Sequence, residues 1–302
     1  MRWIKTGRIF EPPGQLPWVA SHAAVPIPYH LGGDYFRIYF SGRESLNRAQ
    51  LGYIEIDMKE PSRALAWSEE PSLRVGNVGN FDDSGAMGDW IVTRGEELYL
   101  YYTGWNRGVT VPFRNSIGLA ISRDGGRSFV RPYDGPILDR QIYDPCFLGN
   151  ACVRVEGKKW KMWYVSGLRW EVQGDALKHY YHIKYAESAD GIQWDRRGTI
   201  CLDFKNEDEY VISRPCVIQE GGIYKMWYSY RGKSYRIGYA ESNDGITWER
   251  KDDLAGIDVS ESGWDSEMIE YPFVFDHDSQ RYMLYNGNGY GKTGIGLALL
   301  DR

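Results

Sequence analysis

The chain has 302 residues, with 36 Lys and Arg against 41 Asp and Glu, a net charge of −5, and 42 % hydrophobic residues. That apolar content excludes a disordered chain, and no apolar run reaches the ~20 residues of a membrane-spanning helix. The mild acidity, with no Lys/Arg run, argues against nucleic acid as the main partner.

The sequence begins Met1-Arg-Trp-Ile-Lys5, with no apolar core of a signal peptide, so no cleaved leader and a cytoplasmic location are expected. Trp3-Ile-Lys-Thr-Gly-Arg-Ile9 reads as a strand. A first unit follows: an apolar strand near Val25, the aromatic strand Phe36-Arg-Ile-Tyr-Phe40, a third strand from Leu51, and a fourth near Trp67 and Leu73. A second repeats this with Ile91, Leu98-Tyr-Leu-Tyr-Tyr102, Ile117-Gly-Leu-Ala-Ile-Ser122 and Phe129. A third has Val153, Trp160-Lys-Met-Trp-Tyr164, Ile183-Lys-Tyr-Ala-Glu-Ser188 and Trp194 with Ile200. A fourth has Val217, Tyr224-Lys-Met-Trp-Tyr228, Ile237-Gly-Tyr-Ala-Glu-Ser242 and Trp248 with Leu254. The last has Val274, Arg281-Tyr-Met-Leu-Tyr285 and Ile295-Gly-Leu-Ala-Leu-Leu300, and then the chain stops.

Repeats of this length mark arrays or rings. The last unit lacks its fourth strand, and Trp3–Ile9 has the same aromatic-to-aliphatic spacing as Trp194–Ile200. An N-terminal strand completing the last unit closes a ring and leaves no ragged sheet edge. The expectation is an all-β, five-bladed β-propeller with four antiparallel strands per blade, closed by the N-terminal strand and forming one domain over residues 1–302. Cys146, Cys152, Cys201 and Cys216 form no CxxC pair and read as free thiols in the core.

In such a meander the Asp-Gly turns at Asp124, Asp190 and Asp244 lie on one face, as turn chemistry. The start of each inner strand lies on the other. Arg214-Pro-Cys216 aligns there with Asn150-Ala-Cys152, Tyr271-Pro-Phe273 and Gly88-Asp-Trp90. Six residues earlier an Asp recurs as Asp82, Asp144, Asp208 and Asp265, which reads as architecture, although the Asp144-Pro145 context leaves Asp144 a catalytic candidate.

What differs between units is more informative. Asn150, Arg214 and Tyr271 at the aligned position, Glu270 and Asp89 beside it, Glu267 close by, and His22 in the first unit are candidates to surround a central pit and bind a polar ligand. The connections on that face add Arg43, Trp105 and Arg231. Aromatic faces beside Arg, Asn and Glu suit sugars, so a saccharide is the expected ligand. His179 and His182, three apart on a strand, face opposite sides, and no metal and no cofactor is expected.

Tyr224-Lys-Met-Trp-Tyr-Ser229 followed by Ile237-Gly-Tyr-Ala-Glu-Ser-Asn-Asp-Gly-Ile-Thr-Trp248 resembles the blade repeat of the five-bladed propeller glycosidases: the arabinanases and xylosidases of glycoside hydrolase family 43, the invertase and levansucrase group, and the mannoside phosphorylases. Ile269-Glu-Tyr-Pro-Phe273 is similar to the Glu-x-Pro segment that carries their general acid, which implies that role for Glu270. Asp144-Pro145 looks like the motif of a second family aspartate, whereas the first unit has Ser21-His-Ala-Ala24 where the family has its general base. The resemblance implies a glycoside hydrolase, with Asp89 a stand-in base from the residue reading alone. Phosphorolysis, with arginines holding phosphate, and a non-catalytic carbohydrate-binding propeller stand beside it.

Overall fold

The computed structural model describes residues 1–14 and 16–301, and nearly all of its regular structure is β-strand. β1 (Trp3–Phe10) is followed by meanders of β2 (Ser21–Gly32), β3 (Tyr35–Arg43), β4 (Ala49–Asp57) and β5 (Ala64–Trp67); then β6 (Gly85–Arg94), β7 (Glu97–Arg107) and β8 (Phe113–Ser122). Next come β9 (Leu148–Glu156), β10 (Lys159–Gln173), β11 (Ala176–Ser188) and β12 (Trp194–Leu202), then β13 (Val211–Glu220), β14 (Ile223–Arg231), β15 (Tyr235–Ser242) and β16 (Glu249–Arg250). β17 (Glu270–His277), β18 (Gln280–Asn286) and β19 (Ile295–Leu300) complete the chain. Among the described residues no helix is long and apolar enough to cross a membrane.

Within each meander neighbouring strands pair antiparallel, and single parallel bridges, Ala49 with Gly85 and Tyr181 with Val211, join successive meanders at their strand ends. The expected fourth strand at Phe129 is reduced to isolated bridges, Val130 to Ile121 and Leu138 to Ile117. Pro132 and Pro136 follow Phe129 closely, and proline cannot donate to a ladder.

The beginning and end of the chain share one sheet: β1 pairs antiparallel with β19, Trp3 opposite Leu300 and Phe10 opposite Ile295. Trp3 is buried edge-on to Trp227, with ring centroids 6.0 Å apart. The core is built from the aromatic second strands, whose successive side chains point to opposite faces and fill the space between neighbouring meanders: Tyr39 and Phe40, Tyr101 and Tyr102, and Trp163 and Tyr164 are all buried.

The polar ends of these rings stitch one meander to the next. Tyr39 Oη donates to the Gly126 carbonyl (2.6 Å), Tyr101 Oη to Gly191 (2.8 Å) and Trp163 Nε1 to Gly245 (2.7 Å). Each acceptor lies in an Asp-Gly turn of the following meander, where the aspartate is occupied with local backbone. Asp190 Oδ1 accepts from the amides of Ile192 (2.8 Å) and Gln193 (2.9 Å). Gly191 there has φ +79°, a conformation that costs glycine little. These aspartates are turn residues, as expected. Cys152, Cys201 and Cys216 are buried free thiols, while Cys146 is only half-buried.

Candidate functional site

On the other face, the start of each inner strand is bent. The ladders break at positions aligned from the sequence, between Gly88 and Trp90, Ser213 and Cys216, and Glu270 and Phe273, and in the first meander, which that alignment did not include, between Ala24 and Ile27. Val25 (φ 58°), Asn150 (45°), Arg214 (51°) and Tyr271 (56°) all adopt the left-handed conformation there. Such a conformation is rare for non-glycine residues, and for β-branched Val25 it is an outlier. Each costs on the order of 1–3 kcal/mol and persists only where its surroundings enforce it. A bulge of this kind re-aims the side chain.

The enforcement is visible. The Val25 amide donates to Asn286 Oδ1 (2.9 Å), the Asn150 amide to Thr103 Oγ1 (2.9 Å) and the Tyr271 amide to Ser229 Oγ (2.8 Å). Each acceptor lies on the second strand of another meander. Asn286 goes further, donating to the carbonyls of Ala23 (2.7 Å) and Gly294 (2.8 Å), so it ties the end of the chain to the first meander. It is fully buried and structural; its side chain is not available to a ligand.

Glu270 immediately precedes one of these bulges. It is completely buried, and among the described residues no donor lies within normal hydrogen-bond geometry of either carboxyl oxygen, the Tyr271 hydroxyl being the polar neighbour that, after Arg231, favours its charged form. Burial pushes its pKa well above the usual carboxylate range, opposed mainly by the Arg231 guanidinium. It does not itself line the adjacent cavity, but Arg231 and Tyr271 do, as do Tyr181 and Tyr235, which sense its charge. Tyr181 and Tyr235 share a hydroxyl hydrogen bond of 2.8 Å.

Asp89 occupies the corresponding bulge of the second meander and is also fully buried. It accepts from Thr103 Oγ1 (2.8 Å), Asn150 Nδ2 (3.3 Å) and the Ala151 amide (3.3 Å). Burial raises its pKa to about 6, with Arg214 and these donors opposing. Arg214 does not pair with Glu270. Its guanidinium donates to the backbone carbonyls of Asp89 and Pro26 (3.2 Å for the latter), bridging the first two meanders from the fourth. With 1 % of its surface exposed it is a buried cross-brace, and it is not among the residues that line the cavity.

A cavity of about 650 Å³ opens beside these groups. It is lined by Arg43, Trp105, Asn150, Arg231 and Tyr271, which are among the sequence candidates, and by Tyr181, Tyr235, Tyr290, Arg107, Asn115 and His179. Among the described residues no carboxylate lines it. The three arginines are held by neutral acceptors: Arg43 by Asn47 Oδ1 (3.1 Å), Arg107 by the Leu46 carbonyl and Arg231 by Tyr290 Oη (2.9 Å). Buried polar atoms here also lack partners, namely Arg231 Nε, Asn115 Oδ1 and His179 Nδ1. Burial, then Arg231, lowers the pKa of His179 to about 4.

The remaining candidates lie elsewhere. His22 is half-buried, bonded to Ser21 Oγ (2.8 Å), and does not line the cavity. Burial, then Arg43 and Lys292, holds its pKa at about 4. Glu267 is exposed outside the cavity, its amide bonded to Asn288 Oδ1 (2.8 Å). Asp144 sits inside its own meander, accepting from Ser166 Oγ (2.8 Å) and Tyr164 Oη (3.2 Å) and ion-paired with Arg196 (3.0 Å) and Lys184 (3.4 Å). These partners consume its lone pairs, so its surroundings are those of a structural carboxylate rather than a catalytic one.

Asp82 repeats this arrangement with Tyr102 (2.9 Å) and Arg131 (2.6 Å), and Asp265 repeats it with Tyr285 (3.0 Å) and Lys5 (2.7 Å). In the fourth meander the role falls not to the exposed Asp208 but to its neighbour Glu209, 2.7 Å from Arg250. The bases Lys5, Arg131, Arg196 and Arg250 each stand two residues after an outer-strand aromatic, a periodic signal left unread in the sequence. A second one was Asn115, Tyr181 and Tyr235, each two residues before the repeated isoleucine, and all three line the cavity. Away from it, Asp34, His277 and Asp278 place ligand-type atoms within 4.8 Å of one another, but Lys59 already holds Asp34 at 2.5 Å.

No family model matches the sequence. The chain is 46 % identical over 301 residues, spanning the whole of both chains, to the uncharacterized protein Rv1502 of Mycobacterium tuberculosis strain H37Rv, and equally to the uncharacterized protein MT1551 of strain CDC 1551. Its fold is shared with solved glycoside hydrolases. A structure described as a glycoside hydrolase matches with a TM-score of 0.76 at 17 % identity, covering 99 % of this chain and 92 % of that one. A thermostable family-43 glycoside hydrolase matches with a TM-score of 0.67 at 16 % identity, covering 93 % and 89 %. The α-L-arabinofuranosidase of Podospora anserina in complex with cellotriose matches with a TM-score of 0.69 at 12 % identity, covering 100 % and 97 %.

Proposed function

The chain belongs to the same family as the Mycobacterium tuberculosis protein Rv1502, and we propose that it is a cytoplasmic enzyme that cleaves the glycosidic bond of a saccharide or glycoconjugate held in the cavity, with Glu270 as general acid. In this reading the meanders are the blades of one five-bladed β-propeller over residues 1–302. The observation that carries the proposal is the state of Glu270: a fully buried carboxyl group with no hydrogen-bond partner, beside a wall of the cavity, whose pKa burial raises well above the usual range. Burial of that kind favours the protonated form of a carboxyl group, which is the form that protonation of a departing glycosidic oxygen requires. The shared glycoside hydrolase fold and the cavity's aromatic residues support a sugar ligand.

Cleavage also needs a group to attack the anomeric carbon or to activate water. Asp89 is the candidate; its carboxylate forms above pH about 6 and sits behind Asn150. A spacing of roughly 6.5–9.5 Å from Glu270 with substrate bound would give inversion, and about 5–5.5 Å retention. The first meander supplies no carboxylate, and the cavity is lined by three arginines. That favours one second reading, phosphorolysis, in which phosphate held by Arg43, Arg107 or Arg231 is the nucleophile and Glu270 remains the acid.

The test is a panel of aryl glycosides incubated with and without phosphate. Turnover by the native chain and a loss on the order of 10²- to 10⁴-fold in Glu270→Gln are expected. Dependence on phosphate, with a glycosyl phosphate as product, selects phosphorolysis. Tight sugar binding with no turnover by either protein would refute cleavage and leave a carbohydrate-binding propeller.

A further inference from the structure

Arg43 and Arg107 end the second strands of the first two meanders. They converge on consecutive residues of one loop: Arg43 donates to Asn47 Oδ1 (3.1 Å) and Arg107 reaches across to the Leu46 carbonyl. Both line the cavity. The groups that hold them offer no negative charge, and among the described residues no carboxylate lines the cavity beside them. Arg231 comes from the fourth meander, is half-buried between the rings of Tyr210 and Tyr235 and leaves its Nε unpartnered. Glu44 lies near this loop, but it is taken by Arg48 at 2.7 Å.

A chain with net charge −5 has thus gathered guanidinium groups at one concave site that, among the described residues, no carboxylate lines; Glu270, the carboxyl group that Arg231 faces, is buried outside the lining. Such a field concentrates anions. The planar fork of arginine matches the oxygens of a carboxylate or phosphate, whereas a neutral hydroxyl needs no such charge. The polar side chains of Asn115 and His179 also line the cavity.

We infer that the saccharide recognised by this cavity is acidic, carrying a phosphate ester or a carboxylate that docks on the Arg43–Arg107 pair. This rests on the cleavage reading and names its substrate class. The anion belongs to the sugar; free phosphate, the reactant of a phosphorolytic enzyme, is the competing source of the same chemistry.

The test is calorimetric titration of the full chain with glucose 6-phosphate, galacturonic acid, glucose, galactose and inorganic phosphate. At least one acidic sugar should bind roughly ten- to a hundredfold more tightly than its neutral counterpart, the size of one or two charge-assisted hydrogen bonds. Arg43→Gln with Arg107→Gln should abolish that preference while leaving the melting temperature in place, and Lys at both positions should restore part of it. Equal binding of neutral and acidic sugars overturns the inference, and so does an acidic preference that survives the double Gln variant. Inorganic phosphate binding as tightly as the acidic sugars, with the same arginine dependence, overturns it in favour of free phosphate. Glu270→Gln separates the two levels. Acidic sugars bound by native chain and variant, with no glycoside cleaved, would sink cleavage alone. Neutral glycosides cleaved with no effect of the arginine substitutions would sink the acidic class alone.

Discussion

Replacing Glu270 by Gln keeps the shape of the side chain and removes its ionisation. In the folded chain this carboxyl is buried without a partner, and its pKa lies well above its ordinary value of 4.5. Between those two values the folded state holds one proton that the unfolded state has released. Unfolding free energy therefore falls as pH rises, by about 1.4 kcal/mol per pH unit. Each pH unit over which the folded chain keeps this proton removes about 1.4 kcal/mol from the 5–15 kcal/mol typical of a domain. The Gln variant lacks that slope. It carries instead an unpartnered buried amide that costs roughly 1–3 kcal/mol at every pH, so the difference in slope, not the intercept, is diagnostic. Urea melts of both proteins at pH 5, 6, 7 and 8 measure it. The variant should gain on the native chain steadily with pH while losing turnover. Parallel stability curves would show that Glu270 ionises normally, and the assignment of a protonated acid would fail.

Asn286→Ala leaves the Val25 amide and the carbonyls of Ala23 and Gly294 without their buried partner. A loss of about 3 kcal/mol in a denaturant melt is expected, and a loss near zero would mean that Asn286 does not tie the first and last meanders together. Deleting residues 1–10 removes buried Trp3 and Ile9, breaks the Lys5–Asp265 pair and bares the edge of β19. The cooperative thermal transition should collapse, whereas a melt like that of the full chain would contradict closure by β1. The rate with a good glycoside substrate should fall below pH about 6 as Asp89 takes up a proton, and Asp89→Asn should remove that acid limb. An unchanged limb in the variant would exclude Asp89 as base.

Much of the scaffold was legible because it repeats. The aromatic second strands, the Asp-Gly turns and the spacing shared by Trp3–Ile9 and Trp194–Ile200 recur closely enough to align, and the pairing of β1 with β19 follows from them. The same alignment found the inner-strand positions that turn out to be left-handed bulges at Asn150, Arg214 and Tyr271. Side-chain direction was not legible. Arg214 and Tyr271 share a register, yet one spans the interior to backbone carbonyls and the other faces the cavity, because proximity across the centre depends on the other meanders. Asp144 attracted a catalytic assignment through Asp144-Pro145, while its partners Lys184 and Arg196 lie far along the chain. Tyr290 was missed because it lies in the irregular connection between β18 and β19, whose residues do not repeat in the other units.

The central claim, proton donation by Glu270, is tested most directly by the dependence of rate on the leaving group. A series of aryl glycosides whose phenols range from strongly to weakly acidic should react with Glu270→Gln at near-native rates when the phenol leaves readily, and on the order of 10²- to 10⁴-fold more slowly when it needs a proton. A deficit of the same size across the whole series would show that Glu270 does not protonate the departing oxygen.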